Sequence, residues 1–247
     1  MQNISKVLSS IIGNVTAIEE PKIIPKLLKG FFLWLYRPNL EECVLVNPSD
    51  YKSLSALFSR RLKKEARPFA GSLASPCDGV IRSNGKVVNG KLLQIKGVEY
   101  LVNDLIQDND INLEGWYSWQ IYLSPRDYHR VHAPFSCVVN DVKRIPGSLL
   151  PVADWSLRLL PKLLITNERI VLKLSSTKGI AYLVMVGATN VGSIILPFAE
   201  NVPAKVEQGD EIGAFNLGST VVLITSWDVT PESYLEKWIK CGTPLAK

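Results

Sequence analysis

The chain changes texture near Pro68, and no other feature constrains its fold as much. Ahead of that point, apolar residues recur at helical spacing. Ile4, Val7, Leu8, Ile11, Ile12 and Val15 mark one face of a first helix, closed by Pro21. A second helix is predicted from Pro25, well placed in a first turn, to just before Pro38, carrying Leu27, Leu28, Phe31, Phe32, Leu33, Trp34 and Leu35. A third is predicted over 53–64, with Leu54, Leu57, Phe58 and Leu62 inward and Arg60, Arg61, Lys63 and Lys64 as a solvated side. Beyond Pro68, short runs rich in Val, Ile, Tyr and Trp alternate with Gly, Pro, Asn and Asp, the pattern of strands and turns. Asn89-Gly90, between 86–88 and 91–95, predicts a tight hairpin. Further strands are predicted at 116–123, 138–145, 169–174, 181–186, 193–196, 211–215 and 221–225, a helical excursion around 155–160, and a closing helix over 231–240. The fold class is therefore α+β: amphipathic N-terminal helices over 1–40, then a mostly antiparallel β domain over 41–247.

At 247 residues the chain can bury a core without staples, and its 21% charged and 47% hydrophobic content excludes a disordered tail. Lys and Arg total 28 against 23 Asp and Glu, a net +5. That excess is too small to argue for nucleic acid and suits a visit to an anionic membrane surface. No apolar run reaches the roughly 18–20 residues of a spanning helix. The second helix, with its aromatics and flanking cations, instead suits the headgroup plane; packing on its own domain or on a second copy is the alternative. Cys43, Cys77, Cys137 and Cys241 are scattered without a C-x-x-C pair, so neither a zinc site nor a disulfide framework is expected and a reduced setting is the simplest reading. No signal-peptide pattern opens the chain.

Three polar clusters could carry chemistry. Residues 124–134 hold His129 and His132, the chain's two histidines, directly after a predicted strand. An imidazole, with an unperturbed pKa of about 6.5, suits proton transfer near neutrality. The pair supplies two metal ligands and nothing completes the set, so no metal is expected. Ser75-Pro76-Cys77-Asp78-Gly79 reads locally as a turn. Leu217-Gly218-Ser219-Thr220 lies between two predicted strands and is not the G-x-S-x-G elbow. Together, an Asp, a His and a Ser are the parts of an activated nucleophile. A serine after glycine in a tight turn has a second target, its own upstream carbonyl, because Gly218 presents no side chain to obstruct it.

These motifs, namely Asp127-Tyr128-His129-Arg130-Val131-His132-x-Pro134, Leu217-Gly218-Ser219-Thr220 and Ser75-Pro76-x-Asp78-Gly79, resemble the signatures of phosphatidylserine decarboxylases. The stretch Phe58-Ser59-Arg60-Arg61-Leu62-Lys63, Arg67-Pro68, Asn167-Glu168-Arg169, Val186-Gly187-Ala188 and 209–213 support the resemblance, in the family's order. Cys77 stands where the family more often has a small residue such as alanine. The resemblance implies a β-sandwich or barrel-like domain and a covalent pyruvoyl cofactor made by the chain itself. Ser219 attacks the Gly218 carbonyl, the ester eliminates, and the new terminus hydrolyses to pyruvoyl. A β subunit, 1–218, and an α subunit, 219–247, result and stay together as a heterodimer, with a dimer of heterodimers open.

The resemblance also implies Asp78, His132 and Ser219 as the cleavage relay, His132 as base and Asp78 orienting it. His129 serves decarboxylation and Asp127 is tied to the site. The reaction implied is conversion of phosphatidylserine to phosphatidylethanolamine through a Schiff base with the pyruvoyl group, at the cytosolic face of the cytoplasmic membrane as a peripheral protein. Alternatives are a pyruvoyl decarboxylase of a related head group or amino acid, an unprocessed lipid-binding homologue, and a serine hydrolase acting on external substrates.

Overall fold

The computed structural model describes residues 2–247 apart from 96–97, 161, 189–193, 199–200 and 217–218; for 2–9, 95 and 154 it describes backbone only. In chain order the elements are α1 (Gln2–Ala17), α2 (Ile23–Tyr36), α3 (Leu54–Phe58), β1 (Gly79–Lys86), β2 (Lys91–Ile95), β3 (Val98–Leu101), α4 (Val102–Ile106), β4 (Tyr117–Leu123), β5 (Arg130–His132), β6 (Cys137–Ile145), α5 (Asp154–Leu159), α6 (Leu163–Thr166), β7 (Arg169–Ser176), β8 (Gly179–Gly187), β9 (Ile194–Ile195), β10 (Ala204–Val206), β11 (Glu211–Phe215), β12 (Ser219–Thr225) and β13 (Trp238–Ile239). The fold is α+β. Eight strands form one sheet in the order β10-β6-β7-β8-β12-β4-β1-β13, and its ladders are antiparallel.

Both faces of that sheet are buried, and the two-residue period of a strand sorts its side chains between them. On β12, Val221 and Leu223 face one core while Val222 and Ile224 face the other; on β8, Leu183 and Met185 oppose Tyr182 and Val184 in the same way. The first core is roofed by a small sheet, β5-β11-β9, through Val131, Ile212, Phe215 and Ile194. The second is roofed by α4, α5, α6 and the β2-β3 pair, through Leu105, Leu157, Leu163 and Leu92. A third, smaller cluster joins Phe32 of α2 to Tyr51, Leu54, Leu57 and Phe58, which seats the helical arm beside α3.

Three expectations are corrected. The helix over 53–64 ends at Phe58: Ser53 caps it through Ala56 N–H, but Cys43 bridges Leu62 and Val44 N–H donates to Arg61 O at 2.9 Å, so the chain runs extended where a helix was predicted. The basic run is not uniformly solvated either, because Arg60 is buried and donates to the carbonyls of Phe58, Arg126 and Asp127. The closing helix over 231–240 is absent: Trp238–Ile239 pairs with the edge of β1, whose open hydrogen bonds outcompete helix formation. The tight turn at Asn89-Gly90 forms as expected: both residues take left-handed φ, and Val88 and Lys91 bridge antiparallel across them, although the strand before the turn ends at Lys86 and β2 continues its pairing with β3. No helix of the described residues is long and apolar enough to cross a membrane.

Candidate active site

Three neighbouring strands deliver the site at one end of the large sheet. β4 is flanked by β1 and β12: Val80 lies opposite Tyr122, and Ser219 opposite Leu123. Asp78 therefore enters just before β1, Ser219 opens β12, and residues 124–132 leave the end of β4. The loop that follows β4 is tied by Asp127, whose carboxylate accepts from Ser124 N–H and Ser124 O–H, both at 2.7 Å, and from Trp238 Nε1–H at 2.9 Å. Gly79 allows β1 to approach β4 so closely: a Cβ there would sit 2.4 Å from the Tyr122 carbonyl oxygen, at φ +154°.

Ser219 is fully buried, and its direct pairing with Leu123 turns its hydroxyl toward the core under the small sheet. Its Oγ has no hydrogen-bond partner among the described residues. His129, also fully buried, packs against Phe58 with ring centroids 4.1 Å apart and planes tilted by 49°. Its Nδ1 lies 2.9 Å from the Asp127 carbonyl, which can only accept, so Nδ1 carries the proton and Nε2 keeps its lone pair. That Nε2 is buried without a partner among the described residues. Burial, reinforced by the Arg60 charge, lowers the His129 pKa to about 3, although the Asp127 carbonyl pulls it upward.

His132 differs. Its Nδ1–H donates to Gly209 O at 2.8 Å, and Nε2 accepts from the Tyr128 hydroxyl at 2.9 Å. Burial lowers its pKa, against upward pulls from the Gly209 bond, Glu211 and Asp78. Its backbone N–H donates to Pro76 O at 2.8 Å, which docks β5 against the loop that carries Asp78.

A family model for phosphatidylserine decarboxylase matches residues 54–247. The chain belongs to the phosphatidylserine decarboxylase family. It is 33% identical to a phosphatidylserine decarboxylase proenzyme of Helicobacter pylori over 99% of its length and 97% of the relative's. A proenzyme from Alkalilimnicola ehrlichii is likewise 33% identical, over 96% of this chain and 90% of that one. A mitochondrial proenzyme of Caenorhabditis elegans shares 33% identity over 96% of this chain and 68% of its own.

Against the expectations that family raises, Asp78 is placed unexpectedly. It accepts from Arg67 Nε at 2.7 Å, from Arg67 Nη2 at 2.6 Å and from Cys241 N–H at 2.7 Å, and it makes no hydrogen bond to His132 among the described residues. A planar guanidinium matches both carboxylate oxygens at once, which a single imidazole N–H cannot do. Burial works against the Arg67 charge, but the bonds to Asp78 and Glu42 more than offset it and raise its pKa. Asp78 thus bears on His132 through its field, not by direct contact. Gly218 lies outside the described residues.

Arg67, Tyr128, Trp238 and the Cys241 amide contact the site residues without having been given roles from the sequence. Arg67 had a usable signal: a buried Asp before a strand needs a cation, and Arg67, just ahead of Pro68, is the nearest one before it in the chain. The described residues hold no group of three or more His, Cys, Asp or Glu suited to a metal ion.

Proposed function

We propose that this chain decarboxylates phosphatidylserine with a pyruvoyl group that it makes from Ser219, by cleaving itself after Gly218. The observation that carries this reading is a serine hydroxyl buried without a partner among the described residues, at the start of a strand, in a chain whose relatives are named proenzymes. A buried hydroxyl left unsatisfied costs stability, on the order of 1–3 kcal/mol; Ser156, Thr220 and Thr225 share that state among the described residues, and what sets Ser219 apart is its place directly after Gly218.

In the proposed cleavage, Ser219 Oγ adds to the Gly218 carbonyl carbon, its proton leaves for a base, and the Gly218–Ser219 C–N bond breaks as the amine takes a proton. The resulting ester loses a proton from Cα and its Cβ–O bond, releasing the Gly218 carboxylate; water then displaces ammonia to leave the ketone. His132 is the proposed base; its Nε2 accepts from the Tyr128 hydroxyl, so the Ser219 proton reaches it through that hydroxyl or after that bond opens. Asp78, held in place by Arg67 and the Cys241 amide, stabilises the imidazolium through its field. Residues 219–247 stay attached as a subunit because β12 lies between β4 and β8.

Loss of CO2 leaves electron density at Cα, and a pyruvoyl group supplies the sink for it. His129 is the proposed acid: its Nε2, without a partner among the described residues, carries a proton to the carbon that has lost CO2. A low pKa makes the protonated ring a strong donor. Asp127 fixes His129 through its carbonyl and fixes the loop through its carboxylate.

The helical arm brings the protein to the bilayer where the acyl chains of the substrate remain, at the cytosolic face of the cytoplasmic membrane. Phe31 and Trp34 are exposed, with Lys22, Lys26 and Arg37 around them. Phe32 does not share that role, since it is buried against Phe58, and buried Lys29 donates to the carbonyls of Pro48 and Tyr51.

Intact masses of the denatured protein test the proposal. Two polypeptides, 1–218 and 219–247 with a pyruvoyl terminus, are expected, and one polypeptide for Ser219→Ala. A wild-type chain that stays whole while decarboxylating phosphatidylserine would overturn it. Activity on free serine equal to that on vesicles would overturn the lipid assignment.

A further inference from the structure

Away from the catalytic residues, α5 presents an unusual surface. This short helix turns Trp155 outward at 59% exposure and Leu159 at 71%, while burying Ser156 and Leu157. The two exposed residues are four apart and so share one face. The orientation is locked from behind: Leu157 packs in the second core, and Gln94 Nε2–H donates to the carbonyls of Leu157 at 2.9 Å and Leu160 at 3.0 Å. Leu160, just beyond the helix, is exposed as well. Fixed apolar side chains this large, held outward on a helix that buries a serine, are not explained by the packing of this chain.

The surroundings of α5 indicate what covers them. An apolar groove of 470 Å³ has Phe31 and Leu35 of α2 on one wall and Val152 and Ala153, which lead into α5, on the other. Its inner end reaches Tyr122 and Ala188. Tyr122 lies opposite Thr220, and Ala188 follows Gly187, which lies opposite Ser219. The groove thus runs from the exposed faces of α2 and α5 to the ends of β4 and β8, on the face of the sheet opposite the one that holds the Ser219 hydroxyl. Cations border both faces: Lys26 and Arg37 on the α2 side, Arg158 and Lys162 on the α5 side, all exposed. Apolar side chains ringed by cations fit the boundary between acyl chains and anionic headgroups.

We infer that α5 is a second membrane-inserting element, which places Trp155 and Leu159 in the bilayer alongside α2 so that the groove between the two helices opens directly onto the lipid. The inference rests on the proposal that the helical arm binds membrane, and adds a contact from the catalytic domain. With two contacts on either side of the groove, the protein's orientation on the surface is set, which one helical arm does not achieve.

Flotation of the full chain with vesicles of phosphatidylcholine and phosphatidylserine provides the test, comparing wild type, Trp155→Ser/Leu159→Ser and Phe31→Ser/Trp34→Ser. The α5 pair is expected to weaken partitioning by about tenfold or more, as removal of two inserted apolar side chains requires. In wild type, brominated lipids are expected to quench a tryptophan signal that Trp155→Phe lacks. Undiminished flotation of the α5 variant, with the α2 variant impaired, would overturn the second contact and leave the helical arm standing. Failure of wild type to float would remove both. A change of the α5 variant's sedimentation without a change in flotation would assign the patch to contact between copies and overturn the inference.

Discussion

Phe31 and Trp34 on α2 stand about two-thirds exposed, whereas Ser219, His129 and Asp78 at the strand ends are buried completely or nearly so. Large apolar groups outside and polar ones inside are each costly in water. The two regions invert the usual arrangement in opposite senses, and each inversion matches the medium in which the proposed reaction takes place. The arm is suited to hydrocarbon. The site's polar groups are buried, so charges there act through a lower dielectric than water's. The arm is attached through the small cluster around Phe32 and Phe58, and Phe58 also packs against the His129 ring, so the two regions share one aromatic contact.

The sharpest way to break this comparison is at the histidines. His132→Ala is expected to leave the chain uncleaved, slowing cleavage by about 10²–10⁴-fold. His129→Ala is expected to cleave, show a pyruvoyl mass on the small fragment and lose most decarboxylation. If both block cleavage equally while folded, the division of roles fails.

Next in size is the ion pair behind Asp78. Arg67→Ala leaves a buried carboxylate without its cation, and denaturant titration should show a loss of about 3–5 kcal/mol. Adding Asp78→Asn should recover part of it, because the stranded charge goes. Full stability of the single variant would show that the Cys241 amide suffices.

Neighbouring residues of the arm sharpen the contrast further. Phe32→Ser removes a buried ring and should cost about 3 kcal/mol in unfolding free energy. Phe31→Ser should stay within about 0.5 kcal/mol, its effect being on vesicle binding. Equal costs would put both rings in the protein interior.

The last effect is a pH slope, gradual per unit. His129 is buried neutral, with a folded pKa of about 3. Between that value and about 6.5, the unfolded chain binds a proton that the folded one does not. Stability should therefore fall as pH falls through this window, by about 1.4 kcal/mol per pH unit for this group. His132, shifted the same way, adds to the slope near its upper end. His129→Gln should flatten the dependence in melts recorded from pH 6.5 downward; an unchanged slope would mean that His129 is not held neutral.

Periodicity resolved the helical arm, the alternating strands and the turn at Asn89-Gly90, since each is a pattern among near neighbours. The polar motifs likewise pointed to Asp78, Asp127, His129, His132 and Ser219 as reactive types. What each of those groups touches came from the tertiary structure. Asp78 is bonded to Arg67, 11 residues before it, and to the Cys241 amide, 163 residues after it. Asp127 takes its bond from Trp238 at a separation of 111 residues. The same long-range competition ended α3 at Phe58 and drew Trp238–Ile239 into the sheet. A sequence reports which side chains can accept a proton or a charge. Burial then removes water, and a buried polar group must bond to whatever the fold brings within about 3 Å. The pairing of Asp78 with Arg67, the burial of His129 Nε2 without a partner among the described residues and the outward face of α5 are therefore properties of the assembled sheet and not of any local stretch of chain.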